Sequence, residues 1–151
     1  WAAAASGWKV VDPTVPSAES VLFEGDVEAG LSVIIGLRGP REYNVEIEDF
    51  LKNSQIFDRA FASLLNGSIM DSLSSNGMAV AASIDDFEAL RTCNMMIASG
   101  ALAAGISGSG PAIAVVCYES EKDFLESQLK QFCEQVLITE FVPSEELREE
   151  A

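Results

Sequence analysis

The sequence predicts an α+β fold in which helices pack on one face of an antiparallel β-sheet. Two observations lead to this fold class. Apolar residues follow strand and helix spacing in the order strand, helices, hairpin, helix, strand. The chain of 151 residues is also 48% hydrophobic, which is enough to bury a core without help from a metal or a disulfide. We therefore expect one main domain.

The first part of the chain predicts three strands. Residues 8–11 and 21–23 are short apolar runs separated by a proline-containing turn at residues 13–16. Residues 31–37 are rich in β-branched side chains and are followed by the turn sequence of residues 38–40. This last run is typical of a central strand.

Two helices are predicted next. Ser54 is the expected cap of a helix that the turn residues 66–67 end, because apolar residues recur between them at helical spacing. Residues 68–82 continue with a second helical pattern that contains Asn76 and Gly77 in its middle. A glycine inside a helix indicates a kink or a close packing contact.

A third helix is predicted to begin at Asp85 and to end before residues 99–100. Asp85 and Glu88 have the spacing of a capping box. Four residues at helical spacing mark the face that we expect to be buried: Phe87, Leu90, Asn94 and Ile97.

The C-terminal third of the chain predicts a hairpin, a helix and a strand. Residues 101–106 and 112–118 are apolar runs joined by a tight glycine-rich loop. Ser120 is the expected cap of a long helix that reaches Cys133, and residues 136–142 alternate as a final strand.

Charge and composition exclude several classes of function. The net charge of −15 repels nucleic acids and anionic membrane surfaces, so neither is an expected partner. No apolar run approaches the length of about 18 residues that a membrane span needs, which predicts a cytoplasmic protein. The sequence contains no histidine, which removes the commonest general base and most transition-metal sites.

The cysteines and the clustered acids are predicted to have no catalytic or metal-binding role. Cys93, Cys117 and Cys133 are odd in number and widely spaced, which favours buried thiols over disulfides or zinc ligands. An acidic cluster contains Glu46, Glu48 and Asp49, yet a solvated acidic face is far commoner than a magnesium cage built from protein alone. We therefore predict no metal site.

The glycine-rich loop is the most informative stretch of the sequence. It contains Gly105, Ser107, Gly108, Ser109 and Gly110 between two apolar runs. Glycines permit positive φ and allow backbone N–H groups to converge, while the two hydroxyls add donors, which is typical of an anion site. The alternative is a tight hairpin with no ligand. The loop has no Walker lysine, and a predicted strand follows it where a dinucleotide fingerprint needs a helix.

Residues 100–116 closely resemble the third signature of the GHMP superfamily of small-molecule kinases, in particular the version found in archaeal-type shikimate kinases. The resemblance covers roughly residues 31–142 and includes the order and spacing of residues 65–67, 76–77 and 99–100. Homoserine kinases share a related loop. Family membership is therefore better supported than the substrate.

The resemblance implies a C-terminal α+β domain that packs against an N-terminal domain, with the glycine-rich loop at the cleft between them. The four residues from Ser107 to Gly110 would line the site and face the phosphates and the substrate. The implied reaction is phosphorylation of a substrate hydroxyl by Mg-ATP, with shikimate as the expected substrate. A homoserine kinase-like enzyme and a non-catalytic binding module are the alternatives.

One departure from the family pattern is large. The family's ATP loop, of the kind Gly-Leu-x-Ser-Ser-Ala, is not found in these residues, so the nucleotide would be bound mainly by a domain outside this sequence. We expect the chain by itself to be inactive and identify no catalytic residue in it. Residues 1–30 would be the remnant of that N-terminal domain, and residues 143–151 an acidic tail. An apolar face left by the missing domain would favour self-association.

Three further polar residues are weighed as ligand contacts. Asn76 is a candidate substrate contact, although buried capping explains it as well. Arg38 and Arg41 flank a Gly-Pro turn and could bind a substrate carboxylate. We interpret both as exposed turn arginines that balance Glu42 and other acids, and not as site residues.

Overall fold

The computed structural model describes residues 7–12, 15, 20–41 and 44–141. These residues form two compact units. One contains residues 32–139, and the other contains the described residues up to Leu31 together with residues 140 and 141. Several predicted features lie outside the described ranges: the turn at residues 13–16 except Val15, Glu42, and the acidic tail.

The N-terminal unit contains an antiparallel strand pair. Strand β1 (Trp8–Val11) pairs with β2 (Val21–Gly25), and Trp8 lies opposite Gly25. A Cβ atom on Gly25 would come within 2.6 Å of the Trp8 ring, so the indole occupies the space that the missing side chain leaves. Both strands were predicted, and β2 extends two residues further than its apolar run.

The main unit is an α+β fold, as predicted. Its elements are, in chain order, β3 (Leu31–Leu37), α1 (Ile47–Leu51), α2 (Ser54–Leu65), α3 (Ile69–Ser83), α4 (Phe87–Ala98), β4 (Ala103–Ile106), β5 (Ile113–Tyr118), a 3-10 turn (Glu119–Glu121), α5 (Lys122–Leu129) and β6 (Gln135–Glu140). The four strands form one sheet in the order β4-β5-β3-β6. The connection from β3 to β4 therefore passes over β5, and the connection from β5 to β6 passes over β3.

Helices α3 and α4 cover the sheet. Helix α4 contacts β4, β5 and α5, while α3 contacts β4, α2 and α4. The core lies in this layer, and its most buried members come from both helices and strands: Ile34, Ala81, Ala89, Cys93, Met96, Ala104, Ile113, Val115, Cys117, Leu125 and Leu129. This packing confirms the antiparallel sheet with helices on one face.

Helix α4 differs from its prediction in its cap and in its buried face. Asp86, and not Asp85, is the N-cap, and its carboxylate accepts a hydrogen bond of 2.9 Å from the N–H of Ala89. Asp85 instead adopts a positive φ of 56° in the turn. The buried residues of the helix are Ala89, Thr92, Cys93 and Met96. Phe87, which was expected on the buried face, is 69% exposed.

Three other differences concern helix α1 and the ends of α2 and α5. The short helix α1 was not predicted, because the acids at its start masked its apolar residues. Helix α2 starts at the predicted Ser54, but the N-cap is Asn53, and Ser54 lies inside the helix. Helix α5 ends at Leu129, so Cys133 lies beyond it.

Helix α3 runs unbroken through Gly77. Because this residue has no side chain, the helix backbone packs directly against β4. A Cβ atom on Gly77 would lie 2.5 Å from the Cα of Gly105, and one on Gly105 would lie 2.9 Å from the Cα of Gly77. The same helix covers the strand's edge, since the N–H of Ala104 donates to the Ser74 hydroxyl at 3.1 Å. Of the two sequence interpretations of Gly77, close packing is the one observed.

All three cysteines are free thiols, as predicted, although Cys133 is only partly buried. Among the described helices none is both long and apolar enough to cross a membrane.

Candidate anion-binding loop

The glycine-rich loop closes the β4–β5 hairpin. The two strands pair antiparallel up to Ile106 opposite Ile113. The ladder continues for one more bond, in which the N–H of Ser107 donates to the carbonyl of Ala112 at 2.8 Å. The N–H of Gly110 then donates to the carbonyl of Ser107 at 3.1 Å, which makes residues 107–110 a tight turn.

Two glycines give this turn its shape. Gly108 and Gly110 have positive φ values of 60° and 82°, which other residues adopt only with strain, and the Gly110–Pro111 peptide bond is cis. Gly108 is exposed, and a Cβ atom added to it would meet nothing within 4 Å. The tip of the loop is therefore open to a ligand.

The loop offers fewer free donors than its sequence suggests. The N–H groups of Ser107 and Gly110 are occupied within the hairpin. The N–H of Gly108 donates to no other described residue, and the exposed hydroxyl of Ser107 lies beside it. An anion at the tip would be held by these two groups together with a cation from elsewhere in the fold.

Arg41 supplies a cation beside the loop. Its Nη2 atom donates to the hydroxyl of Ser109 and, at 3.1 Å, to the carbonyl of Gly110. Because Arg41 remains exposed, its guanidinium retains donors for an incoming anion. A positive charge at this position matters in a chain that carries 24 acidic and nine basic residues.

Arg38 lies beneath the loop and not at the surface. Its two terminal nitrogens donate to the two carboxylate oxygens of Asp86 at 2.8 and 2.9 Å. It also donates to the carbonyl of Pro111 and to Glu88, both at 3.3 Å. The side chains of Arg38 and Asp86 are 11% and 8% exposed, so the interpretation of Arg38 as an exposed turn arginine was wrong.

Electrostatics keep both members of this ion pair charged. The hydrogen bond to Asp86 raises the pKa of Arg38 above its ordinary value, against the effect of burial. Burial opposes ionisation of Asp86, yet the hydrogen bonds from Arg38 and from the N–H of Ala89 outweigh it and lower the pKa of the carboxyl. Arg38 is thus fully engaged, in contrast to Arg41.

A left-handed residue positions the two arginines. Gly39 has a φ of 86°, and the carboxylate of Glu134 lies 3.1 Å from the position where its Cβ would be. The chain therefore turns sharply after β3 and directs Arg38 inwards and Arg41 towards the loop. The signal in the sequence was two arginines around Gly-Pro, directly after a central strand in an acidic chain.

The remaining predicted site residues lie on β4 and α3. Gly105 is buried in β4 against α3, where its role is packing. Asn76 is exposed in the middle of α3, so buried capping does not explain it. It precedes Gly77, which meets the backbone of Gly105 and Ile106. Among the described residues, no group of three or more acids or cysteines could hold a metal ion.

A family model matches part of this fold. Residues 87–135 match the model of the GHMP kinases' C-terminal domain. This segment runs from α4 through the glycine-rich loop to the start of β6 and contains most of the core. The expected resemblance to the GHMP kinase C-terminal domain is thereby confirmed over these residues. A comparison with curated proteins finds no match.

Solved structures with a similar fold include a homoserine kinase from Cytophaga hutchinsonii. It is 18% identical, has a TM-score of 0.53, and the alignment covers 90% of this chain and 49% of that one. Mevalonate pyrophosphate decarboxylase from Streptococcus pyogenes is 10% identical with a TM-score of 0.51, covering 83% and 50%. MDDEF in complex with MVAPP, AMPPCP and magnesium is 14% identical with a TM-score of 0.51, covering 84% and 50%. The chain thus spans about half the length of these structures.

Proposed function

We propose that this chain supplies the C-terminal domain of an ATP-dependent kinase of the GHMP type, which phosphorylates a hydroxyl group of a small molecule. The observation that supports this most is Arg41 on the rim of the glycine-rich loop. It places a cation and the exposed Ser107 and Gly108 around one open turn, within the segment that matches the family model. A turn that served only to join two strands would need no such cation.

The chemistry of phosphoryl transfer fits these groups. The substrate's hydroxyl oxygen forms a bond to the γ-phosphorus, the bond from that phosphorus to the β–γ bridging oxygen breaks, and the hydroxyl proton is released as ADP leaves. Little covalent work falls to the protein, so donors that hold the transferring group supply most of the catalysis. Arg41 and the N–H of Gly108 would take this role, and bound Mg²⁺ would offset the charge of the phosphates.

The nucleotide would be held mainly by residues outside this sequence. The three structures compared above are about twice as long as the part that this chain covers, and one of them is a complex with AMPPCP and magnesium. We therefore propose an N-terminal kinase domain as the partner of this unit and a cytoplasmic location for the complete protein.

Shikimate is the proposed substrate, on the basis of the resemblance of the loop sequence in residues 100–116. Homoserine is the second candidate, because a homoserine kinase is among the structures of similar fold. Both molecules carry a hydroxyl group that can accept the phosphoryl group, so Arg41, which would hold that group, suits either one.

The experiment is an assay of ADP release by the full natural protein that contains this chain, with Mg-ATP and either shikimate or homoserine. We expect release with one of the two substrates and a phosphorylated product of matching mass. No release with either substrate would favour a non-catalytic binding module, whereas release without either substrate would show ATP hydrolysis and would contradict phosphorylation of these two molecules.

Substitution of Arg41 tests the role of the loop. Arg41→Gln removes the cation but keeps hydrogen-bonding capacity, and we expect kcat to fall about 100-fold, as for loss of one donor to a developing negative charge. Arg59→Gln, an exposed arginine on α2, is the matched control and should retain kcat. If Arg41→Gln kept the kcat of the parent, as the control should, Arg41 would be excluded from the site.

A further inference from the structure

We infer that Arg38 is a positioning residue that fixes the glycine-rich loop for phosphoryl transfer, an inference that rests on the proposed function. Arg38 joins three segments that are distant in sequence. It belongs to the turn after β3, pairs with Asp86 at the N-terminus of α4, and donates to the carbonyl of Pro111 at the end of the loop. No other described arginine joins these three segments.

The geometry of Arg38 excludes direct binding of a ligand. Both terminal nitrogens bind the carboxylate of Asp86, and one of them also reaches Glu88, so the charge is already balanced. The side chain is 11% exposed. An anion at the loop tip would be held by Arg41, which lies three residues further along the same turn.

Stability alone is a weak reason for such a pair. Replacing a buried ion pair with apolar residues of similar size is often neutral or stabilising, because desolvation offsets the attraction between the charges. A bidentate pair does, however, fix direction, since the planar guanidinium and the carboxylate align in one geometry. Arg38 thereby fixes the position of Pro111 relative to α4 and β3.

The position of Pro111 determines that of the loop tip. Gly110, its neighbour, accepts a hydrogen bond from Arg41 and donates one to the carbonyl of Ser107. A shift of the Pro111 carbonyl would therefore move both the turn and its contact with Arg41. A misplacement of about 1 Å is enough to reduce catalysis about 100-fold.

The test separates positioning from stability with a double variant of the full natural protein. Arg38→Met/Asp86→Ser removes both buried charges and keeps a residue that can cap α4. We expect its melting temperature to return close to that of the parent, above those of the single variants Arg38→Met and Asp86→Ser. Its kcat should remain at least 10-fold below the parent, with KM changed less than threefold.

Arg91→Gln, an exposed arginine on α4, is the matched control and should leave kcat unchanged. A double variant with parental kcat would overturn the inference while the proposed kinase function stood.

A second measurement does not depend on activity. If the parent protein transfers no phosphoryl group, the proposed function fails, and the positions of the Gly108 and Gly110 amide signals in ¹H–¹⁵N spectra still decide whether Arg38 fixes the loop. These signals should shift in the double variant and not in Arg91→Gln. Unchanged signals in the double variant would overturn it.

Discussion

At the scale of single residues, the two arginines beside the glycine-rich loop differ in their environment. Arg38 is paired and its side chain is 11% exposed, whereas Arg41 is exposed and contacts the loop. Sequence reasoning found the loop, because glycine and serine stand out between apolar runs. It could not separate the arginines, since only the tertiary partner Asp86 makes one of them internal.

Asp86→Asn should reveal the charge of this pair through its pH dependence. Asparagine can still cap α4, but Glu88, whose side chain is 58% exposed, becomes the one carboxylate left in contact with Arg38. We expect a loss of about 2 kcal/mol in the free energy of unfolding at pH 7. The folded pKa of Asp86 is lowered, so its contribution is complete above the unfolded pKa of about 3.9 and is lost as the pH falls through the folded value.

Urea unfolding of parent and variant between pH 7 and pH 3 measures this difference. The gap between them should be constant down to about pH 5 and should narrow below about pH 4. A gap that stays constant to pH 3 would mean that the carboxylate charge of Asp86 contributes nothing.

The thiols give a second prediction at this scale. Burial raises the pKa of Cys93 to about 12 and also raises the pKa values of Cys117 and Cys133. Because the thiolate is the reactive form, we expect Cys93 and Cys117 to resist a thiol reagent at pH 8 until urea unfolds the protein. Rapid labelling of all three cysteines in the native protein would contradict the buried arrangement.

At the scale of elements, most strands and long helices follow from the sequence. Residues 31–37 were predicted with their observed bounds, and α2 was predicted to within one residue at its start, because β-branched composition and helical spacing are local signals. Helix α4 was predicted with the wrong face. Its interior is set by small residues such as Ala89 that fit between the sheet and neighbouring helices, and a search for large apolar residues overlooks them.

The contact between α3 and β4 gives a prediction for Gly77→Ala. The added methyl group would lie 2.5 Å from the Cα of Gly105, an atom of the backbone that cannot move aside. We expect a loss of about 2 kcal/mol or more in the free energy of unfolding, although alanine is the better helix former. Asn76→Ala, an exposed change on the same helix, is the control and should differ from the parent by less than about 0.5 kcal/mol. A stabilised Gly77→Ala variant would show that the helix does not approach the strand so closely.

At the scale of the whole molecule, charge is the dominant feature. A net charge of −15 over 151 residues creates repulsion among surface carboxylates that outnumber the available cations. Raising KCl from about 0.05 M to 1 M shortens the screening length to about 3 Å, so the melting temperature should rise. A melting temperature that falls with added KCl would mean that attractive ion pairs outweigh the repulsion.

The most direct test of the central claim is an NMR titration of the full natural protein with AMPPCP, magnesium and shikimate, repeated with homoserine. The claim is that the tip of the glycine-rich loop faces the phosphates. It predicts that the amide signals of Gly108, Ser109 and Gly110 shift with saturation while those of exposed residues in α2, such as Arg59, stay in place. Saturable binding that leaves the three loop signals unmoved would contradict it.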